Sequence, residues 1–160
     1  MSDLPKRKNI RLKYYDYSQN GAYFITICTE NKSHLFGEIV PSSVGATCGR
    51  PLLSNIGIIV RSEIEKIPSV YSNVDIDNYV IMPNHIHMIM SLCSNGRPQV
   101  APTISRIVKQ FKGSITKKIG HSIWQRSYHD HVIRNEAEYQ KIWEYIDTNP
   151  MKWEYDCYFN

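Results

Sequence analysis

Apolar and polar positions in the first third of the chain predict two strands separated by a turn. Residues 22–30 are rich in aromatic and β-branched types, which predicts a strand, and a shorter strand is predicted over Leu35–Val40. The intervening residues Asn31–His34 indicate a hairpin turn. Residues 41–51 contain two prolines, two glycines and two serines, a composition typical of an exposed loop.

Two stretches carry apolar residues at the spacing of an amphipathic helix. Over about Leu53–Ile67, isoleucine and valine recur every three or four positions, which predicts a core-packed helix that ends at Pro68. A second predicted helix, over about Thr103–Ile119, places its apolar residues on one side and its basic residues largely off that stripe. This helix can therefore pack on a core and face phosphates at once.

Residues 74–82 and 85–93 predict two strands around Pro83-Asn84, which we expect to form the centre of an antiparallel sheet. Successive side chains of a strand point to opposite faces. One face of the second strand consists of His85, His87, Ile89 and Ser91, and the other of Ile86, Met88, Met90 and Leu92. The apolar face is predicted to be core, and the face with the histidines a working surface.

The last part of the chain predicts a strand within Ser122–Arg134 and a final helix over about 136–149. Asn135 and Glu138 mark the start of this helix in the arrangement of a capping box. The order of strands and helices suits an α+β fold, in which helices pack on an antiparallel sheet.

Length and composition suit one compact domain over residues 1–160, because 42% of the 160 residues are hydrophobic. The apolar stretches are far shorter than a membrane span, and the N-terminus lacks the apolar centre of a signal peptide. We therefore expect a soluble, cytoplasmic protein with no membrane partner. The four cysteines form no CxxC pair, which argues against a zinc ribbon or a disulfide framework.

Basic residues cluster in two segments, although the formal net charge is only +4. One segment lies in a basic N-terminal arm, about residues 1–20, and the other runs from Arg106 to Lys118 within the second predicted helix. The candidate phosphate-contacting residues are Arg7, Arg11, Lys13, Arg106, Lys109, Lys117 and Lys118. Taken alone, each segment can equally be a solubilising tail or a solvated helix face.

Two histidine pairs are candidate metal ligands. His85 and His87 lie two positions apart in a predicted strand, so that both imidazoles point to one side. His129 and His131 form a second pair, but Asp130 between them indicates an exposed or edge strand. The first pair is therefore the stronger candidate.

The final helix carries a candidate nucleophile. Its apolar stripe consists of Tyr139, Ile142, Trp143 and Ile146. Tyr145 falls about a quarter turn off the centre of this stripe, so core packing does not fully explain it. Asn149 lies four residues on and shares the face of Tyr145 if the helix continues that far. Pro150 disfavours helical geometry for Asn149, so Asn149 can equally be the residue at which the helix ends.

Four segments resemble the REP-associated tyrosine transposases, a subgroup of the HUH-type transposases that act on single-stranded DNA. They are Arg11–Thr26, Tyr79–Met90 with its His-Ile-His sequence, Trp124–Asn135 and Tyr145–Pro150. They follow the order of the family and together span most of the chain.

This resemblance implies a ferredoxin-like, RRM-like fold and assigns roles to the candidate residues. Tyr145 corresponds to the nucleophile, and His85, His87 and Asn149 to the ligands of a divalent metal ion, Mg²⁺ or Mn²⁺. Related transposases often have glutamine at the last of these positions. The implied reaction nicks and rejoins DNA through a covalent phosphotyrosine, while the metal polarises the scissile phosphate.

The resemblance also implies a partner, single-stranded DNA with a hairpin at a repetitive element. The N-terminal arm would read a short guide sequence beside the hairpin, and the basic helix would hold the hairpin phosphates. The tyrosines of the arm, Tyr14, Tyr15 and Tyr17, could stack on unpaired bases or anchor the arm to the domain.

Two other functions fit the same residues. A replication initiator or relaxase uses the same histidine and tyrosine chemistry, but such enzymes have much larger chains. A non-catalytic module could instead bind single strands on an RRM-like sheet, with the histidines as surface residues. The sequence leaves open the DNA target, the choice between a monomer and a homodimer that exchanges the tyrosine helix, and whether this copy is active.

Overall fold

The computed structural model describes residues 20–40, 50–93 and 102–159 of the chain. The helices and strands, in chain order, are β1 (Gly21–Cys28), β2 (Gly37–Val40), β3 (Arg50–Leu53), α1 (Asn55–Val70), β4 (Val74–Met82), β5 (His85–Leu92), α2 (Ile104–Ile119), β6 (His129–Ile133) and α3 (Glu136–Thr148). Short 3-10 helices follow β1, at Glu30–Lys32, and α3, at Asn149–Tyr155.

A four-stranded antiparallel sheet with the order β4-β5-β1-β6 forms the centre of the fold. Together with α1 and α2 these strands follow the β-α-β-β-α-β order of ferredoxin-like domains. The predicted α+β fold with an antiparallel sheet and packed helices is therefore confirmed. In this order β1 and β5 are the inner strands, and β4 is an edge strand rather than part of the centre as we expected.

Helices cover both faces of the sheet. The predicted apolar face of β5 packs against α1 and α2, in a cluster that includes Met88, Ile64 and Phe111. The opposite face carries a smaller cluster of Ile89 from β5, Ile133 from β6 and Ile146 from α3. The histidine face of β5, predicted to be a working surface, therefore lies under α3 and is buried, because α3 also brings an apolar stripe that must be buried.

The hairpin predicted at Asn31–His34 is absent. β1 is already paired on both sides, so β2 has no free edge of that strand to join and pairs with β3 in a separate two-stranded sheet. The chain turns instead through the short 3-10 helix, where Asn31 and Lys32 adopt positive φ values of 55° and 54°. The last two residues of the predicted loop, Arg50 and Pro51, belong instead to β3, where they pair with β2. Residues 41–49 lie outside the described parts.

Helix α1 does not end at Pro68 but continues to Val70, with Tyr71 N donating to Ile67 O at 2.9 Å. A proline this close to the helix end removes only one hydrogen bond from the last turn, which the helix tolerates. Helix α3 begins as predicted, since the Asn135 side chain accepts from Glu138 N at 2.8 Å. Within the described ranges, every helix is too short or too polar to cross a membrane.

Candidate functional site

The first histidine pair lies on the inner strand β5, beneath α3 and the C-terminal 3-10 helix. His85 is 0% and His87 1% exposed, and their ring centroids are 4.5 Å apart. The side chain of Tyr158 packs against both imidazoles, with ring centroids 4.5 Å from His85 and 5.7 Å from His87. The two imidazoles therefore share one buried pocket, as the strand spacing predicts.

Each imidazole is oriented through its Nδ1 atom. Asn84 Oδ1 lies 2.7 Å from His85 Nδ1, and Thr26 Oγ1 lies 2.8 Å from His87 Nδ1. Thr26 occupies the position on β1 directly opposite His87, so sheet register provides this contact. With Nδ1 engaged, each Nε2 atom remains to bind a metal ion or a substrate group, the arrangement usual for histidine ligands.

Tyr145 extends from α3 toward the pair. Its hydroxyl oxygen lies 3.4 Å from His87 Nε2, and its ring is 5.2 Å from the His87 ring and edge-on to Phe24 at 6.1 Å. The residue is 39% exposed, unlike the histidines. Its position off the apolar stripe is thus the reason that the residue stays partly exposed while its hydroxyl reaches the pair.

Asn149 follows the last residue of α3 and retains helical backbone angles, φ −57° and ψ −43°, despite the proline that follows it. It therefore shares the face of Tyr145, which the sequence left open. It is 2% exposed, and its Nδ2 donates to Asp156 Oδ2 at 2.7 Å. The structure thus brings the four residues Tyr145, His85, His87 and Asn149 together.

Asp156 is a further candidate metal ligand, which the sequence analysis missed. Its side chain is 1% exposed, and its Oδ2 lies 3.8 Å from His85 Nε2. One ligand atom from each of His85, His87 and Asp156 lies within 4.8 Å of the others. Asp156 belongs to no helical stripe or strand alternation, because it follows the C-terminal 3-10 helix, and no sequence pattern distinguishes it from an exposed carboxylate.

Burial sets the charge states in the pocket. Desolvation lowers the pKa of His85 to about 4, although Asp156 and Asn149 act in the opposite direction. Desolvation, together with the neighbouring His85, places the pKa of His87 well below its ordinary value. Burial and then Asp156 raise the pKa of Tyr145 to about 12. At neutral pH the site therefore contains two neutral imidazoles and a protonated phenol.

These side chains fit a divalent cation. His85 Nε2 and Asn149 Oδ1 are buried and have no hydrogen-bond partner in the described parts of the chain. Buried polar atoms are rarely left without a partner, so both are candidates for coordination. Neutral imidazoles need not lose a proton before they bind a metal ion. A set of imidazole nitrogens with amide and carboxylate oxygens is compatible with Mg²⁺ or Mn²⁺.

The second histidine pair has a different environment. His129 and His131 are exposed on the edge strand β6, as Asp130 indicated. His131 Nε2 lies 2.6 Å from Glu138 Oε1, at the start of α3. His131 therefore contacts the first turn of α3, and both histidines of this pair are exposed rather than gathered in a buried pocket.

The predicted phosphate-contacting residues of α2 lie on the outer side of that helix. They are Arg106, Lys109, Lys117 and Lys118, and all four are exposed. Lys118 Nζ is paired with Glu63 Oε1 at 2.5 Å, so part of its charge is already compensated. Helix α2 covers the sheet face opposite the histidines. The predicted contacts Arg7, Arg11 and Lys13, and the tyrosines Tyr14, Tyr15 and Tyr17, lie outside the described residues.

Comparison with known proteins gives three relatives, two of which have a functional name. No protein-family model matches the chain. An uncharacterised protein of Haemophilus influenzae is 37% identical over 94% of this chain and 91% of its own length. A second protein of that organism, provisionally named a REP-associated tyrosine transposase, is 25% identical over 86% of this chain and 74% of its own length. The REP-associated tyrosine transposase of Escherichia coli is 33% identical over 49% of this chain and 45% of its own length.

A solved structure shares the fold. It is described as a REP-associated tyrosine transposase bound to a REP hairpin, and it superposes with a TM-score of 0.64 at 23% identity. The match covers 91% of this chain and 76% of that one. The arrangement of the sheet and helices is therefore shared along almost the whole chain.

Proposed function

Because this chain is a homologue of the REP-associated tyrosine transposases, we propose that it nicks and rejoins single-stranded DNA through a covalent phosphotyrosine intermediate. Its proposed substrates are repetitive elements that form hairpins, by analogy with the relative that was solved with a REP hairpin. The homologues support a DNA-processing enzyme, and the roles of individual residues below are our proposal.

One observation carries this proposal. The Tyr145 hydroxyl oxygen lies 3.4 Å from His87 Nε2, in a pocket that also contains His85, Asn149 and Asp156. A partly exposed tyrosine beside two buried, neutral histidines brings a nucleophile and metal ligands to one point. A structural tyrosine on this helix would need neither the neighbouring histidines nor its partial exposure.

In the proposed reaction the Tyr145 oxygen forms a bond to the phosphorus of a backbone phosphodiester, and the bond from that phosphorus to one sugar oxygen breaks. The departing sugar oxygen takes up a proton, and the phenol loses one. Attack by another DNA hydroxyl on the phosphotyrosine reverses these changes and joins the strands. Each step exchanges one phosphate ester for another, so no ATP is required.

We propose His85, His87 and Asn149 as ligands of Mg²⁺ or Mn²⁺. A bound ion of this kind would polarise the phosphate oxygens and offset the charge that develops on them. Asn84 and Thr26 orient the imidazoles so that both Nε2 atoms remain available. Zinc could bind the same donors without supporting turnover.

We propose that exposed basic residues of α2 contact DNA phosphates outside the pocket. Arg106, Lys109 and Lys117 are exposed along that helix, and Lys118 shares its charge with Glu63. Arg7, Arg11 and Lys13 complete the proposed DNA-binding set. Such contacts add affinity that depends on salt concentration and carry no sequence information by themselves.

The non-catalytic alternative is less well supported. Binding of single strands on an RRM-like sheet needs an open sheet face with exposed aromatic side chains. In residues 20–40, 50–93 and 102–159 both faces of the four-stranded sheet are covered, one by α1 and α2 and the other by α3. The enzyme proposal explains the buried histidines, and the binding module does not.

The first prediction concerns the nucleophile. Labelled single-stranded oligonucleotides from the DNA flanking the gene are incubated with the protein and Mn²⁺, and covalent adducts are resolved on a denaturing gel. We expect an adduct with the unmodified protein and none with Tyr145→Phe, because the substitution removes only the attacking hydroxyl. DNA binding, measured by mobility shift, should be unchanged.

The matched control is Tyr155→Phe, since Tyr155 is 89% exposed and lies in the C-terminal 3-10 helix. It should form the adduct normally. An adduct that persists in Tyr145→Phe would show that another residue is the nucleophile. Full cleavage in EDTA would contradict the metal site.

A further inference from the structure

We propose that Asp156 is a direct ligand of the metal ion held by His85 and His87, and that Asn149 holds its carboxylate in place. This inference deepens the proposed function and rests on it. It adds an anionic ligand from the C-terminal segment to a set otherwise composed of neutral groups.

The positions of the ligand atoms support this assignment. Asp156 Oδ2 is 3.8 Å from His85 Nε2, and single ligand atoms of His85, His87 and Asp156 lie within 4.8 Å of one another. Ligand atoms on one Mg²⁺ ion are about 3 Å apart when adjacent and about 4 Å apart when opposite. Movements of the side chains by less than about 1 Å would bring all three atoms to one ion.

The hydrogen bonds of Asp156 keep its carboxylate in this position. Asn149 Nδ2 donates to Oδ2 at 2.7 Å, and the backbone N–H of Tyr158 donates to Oδ1 at 2.8 Å. Asn149 ties the carboxylate to the end of α3, close to Tyr145. The carboxylate is therefore fixed from two sides and faces the histidines.

The charge of Asp156 needs a cationic partner. Its side chain is 1% exposed, and in the described parts of the chain the basic side chain within 4.0 Å of it is His85. Burial of a carboxylate without an opposite charge is costly, even when two neutral donors bind it. His85 Nε2 is itself buried, and no described residue is a hydrogen-bond partner of it. A divalent cation between these two atoms would satisfy both.

The chemistry of the ion also favours a carboxylate. Mg²⁺ and Mn²⁺ are bound mainly by oxygen ligands, and carboxylates are the most common anionic ones. Two imidazoles and one amide supply no negative charge. We therefore expect the affinity for Mn²⁺ to depend strongly on Asp156.

The test measures Mn²⁺ binding to the full chain without DNA, by titration with detection of free Mn²⁺ by electron paramagnetic resonance. Asp156→Asn retains the size of the side chain and the oxygen that accepts from Tyr158. We expect its dissociation constant for Mn²⁺ to rise at least ~10-fold. Glu154→Gln is the matched control, because Glu154 is an exposed carboxylate in the same 3-10 helix, and its affinity should be unchanged.

A second measurement separates coordination from folding. Mn²⁺ should raise the melting temperature of the unmodified protein and of Glu154→Gln, and the rise should be smaller for Asp156→Asn. Asp156→Glu, which keeps the charge but is larger, should bind Mn²⁺ more tightly than Asp156→Asn. A role of Asp156 limited to filling space predicts the reverse order, since the isosteric variant disturbs packing less.

The outcomes distinguish this inference from the proposed function. Equal Mn²⁺ affinity of Asp156→Asn and the unmodified protein would overturn the inference, and metal-dependent adduct formation would still support the function. Weaker binding by Asp156→Asn would support the inference even if no DNA adduct forms. Absence of Mn²⁺ binding by the unmodified protein would overturn the inference and the metal dependence together.

Discussion

His85 and His87 owe their properties to burial and to the neighbours that hold their Nδ1 atoms. A histidine on a solvent-facing strand would be partly protonated near pH 6.5. Here desolvation lowers both pKa values, and that of His85 to about 4. The pair is therefore neutral at neutral pH, with His85 Nε2 facing Asp156 and His87 Nε2 facing the Tyr145 hydroxyl.

The same shift makes stability depend on pH. In the unfolded chain His85 regains a pKa near 6.5, so below that value the unfolded state binds more protons than the folded state. The contribution of His85 to the free energy of unfolding is complete above pH 6.5. It decreases as the pH falls toward about 4, the pKa of His85 in the folded protein. We expect His85 alone to lower the free energy of unfolding by about 2 kcal/mol between pH 7 and pH 5.

Urea unfolding in EDTA at these two pH values measures this effect. His85→Gln should show a smaller loss of stability on acidification than the unmodified protein. In His131→Gln an exposed histidine is replaced, so this variant should lose nearly as much stability between pH 7 and pH 5 as the unmodified protein. An undiminished pH dependence in His85→Gln would show that His85 does not provide it.

Helix α1 begins where its backbone approaches the segment before β2 very closely. The Ser54 side chain accepts from Gly57 N at 3.1 Å and donates to Leu35 O at 2.6 Å. A Cβ atom at Gly57 would lie only 2.1 Å from the carbonyl oxygen of Phe36. Glycine is therefore needed here because no side chain fits, which a helical pattern in the sequence does not indicate.

Two glycine substitutions in helices should thus have opposite effects. Alanine usually stabilises a helix relative to glycine by about 1 kcal/mol. Among the described residues, none has a heavy atom within 4 Å of the position of a Cβ at Gly113 in α2, so Gly113→Ala should raise the free energy of unfolding by about 0.5–1 kcal/mol. Gly57→Ala should lower it by about 1–3 kcal/mol, because backbone must move.

Denaturant unfolding of the two variants under identical conditions tests this pair. A stabilising effect of Gly57→Ala would mean that α1 does not approach Phe36 as closely as described.

Strand β2, which follows Phe36, is the element that the sequence predicted least well. The prediction placed β2 in a hairpin with β1, whereas β2 pairs with β3 and lies beside the start of α1.

The arrangement of the whole chain places Tyr145 beside the histidines of the same chain. Helix α3 is held on its own sheet by the buried cluster of Ile89, Ile133 and Ile146. Two hydrogen bonds between α3 and the edge strand β4 also hold the helix in place. Tyr139 of α3 donates to Asp77 of β4 at 2.9 Å, and Asn78 of β4 donates to Asp147 of α3 at 2.9 Å. Exchange of α3 between two chains would have to break these contacts.

We therefore expect the reaction to be completed within one chain. Tyr145→Phe and His87→Ala should each form no covalent adduct with DNA, and an equimolar mixture should form none either. Adduct formation restored in the mixture would show that the tyrosine helix of one chain serves the histidines of another. The measurement is the denaturing gel used for the single variants, after co-refolding of the two proteins.

Periodicity by itself determined most of the elements. The alternation along β5 and the stripes of α1, α2 and α3 follow from the need to bury one face of each element, which is a local property. The same reasoning placed His85 and His87 side by side and Tyr145 off the apolar stripe. These relations depend on residues that are close in sequence.

The tertiary structure decided what depends on residues far apart in the chain. Only packing of α3 shows that the histidine face is buried, and only the course of the chain after Pro150 brings Asp156 to His85. Strand order also depends on residues far apart in the chain, because β1 pairs with β5 and β6 and has no edge left for β2. Burial, pKa and coordination depend on neighbours in space, which no local pattern specifies.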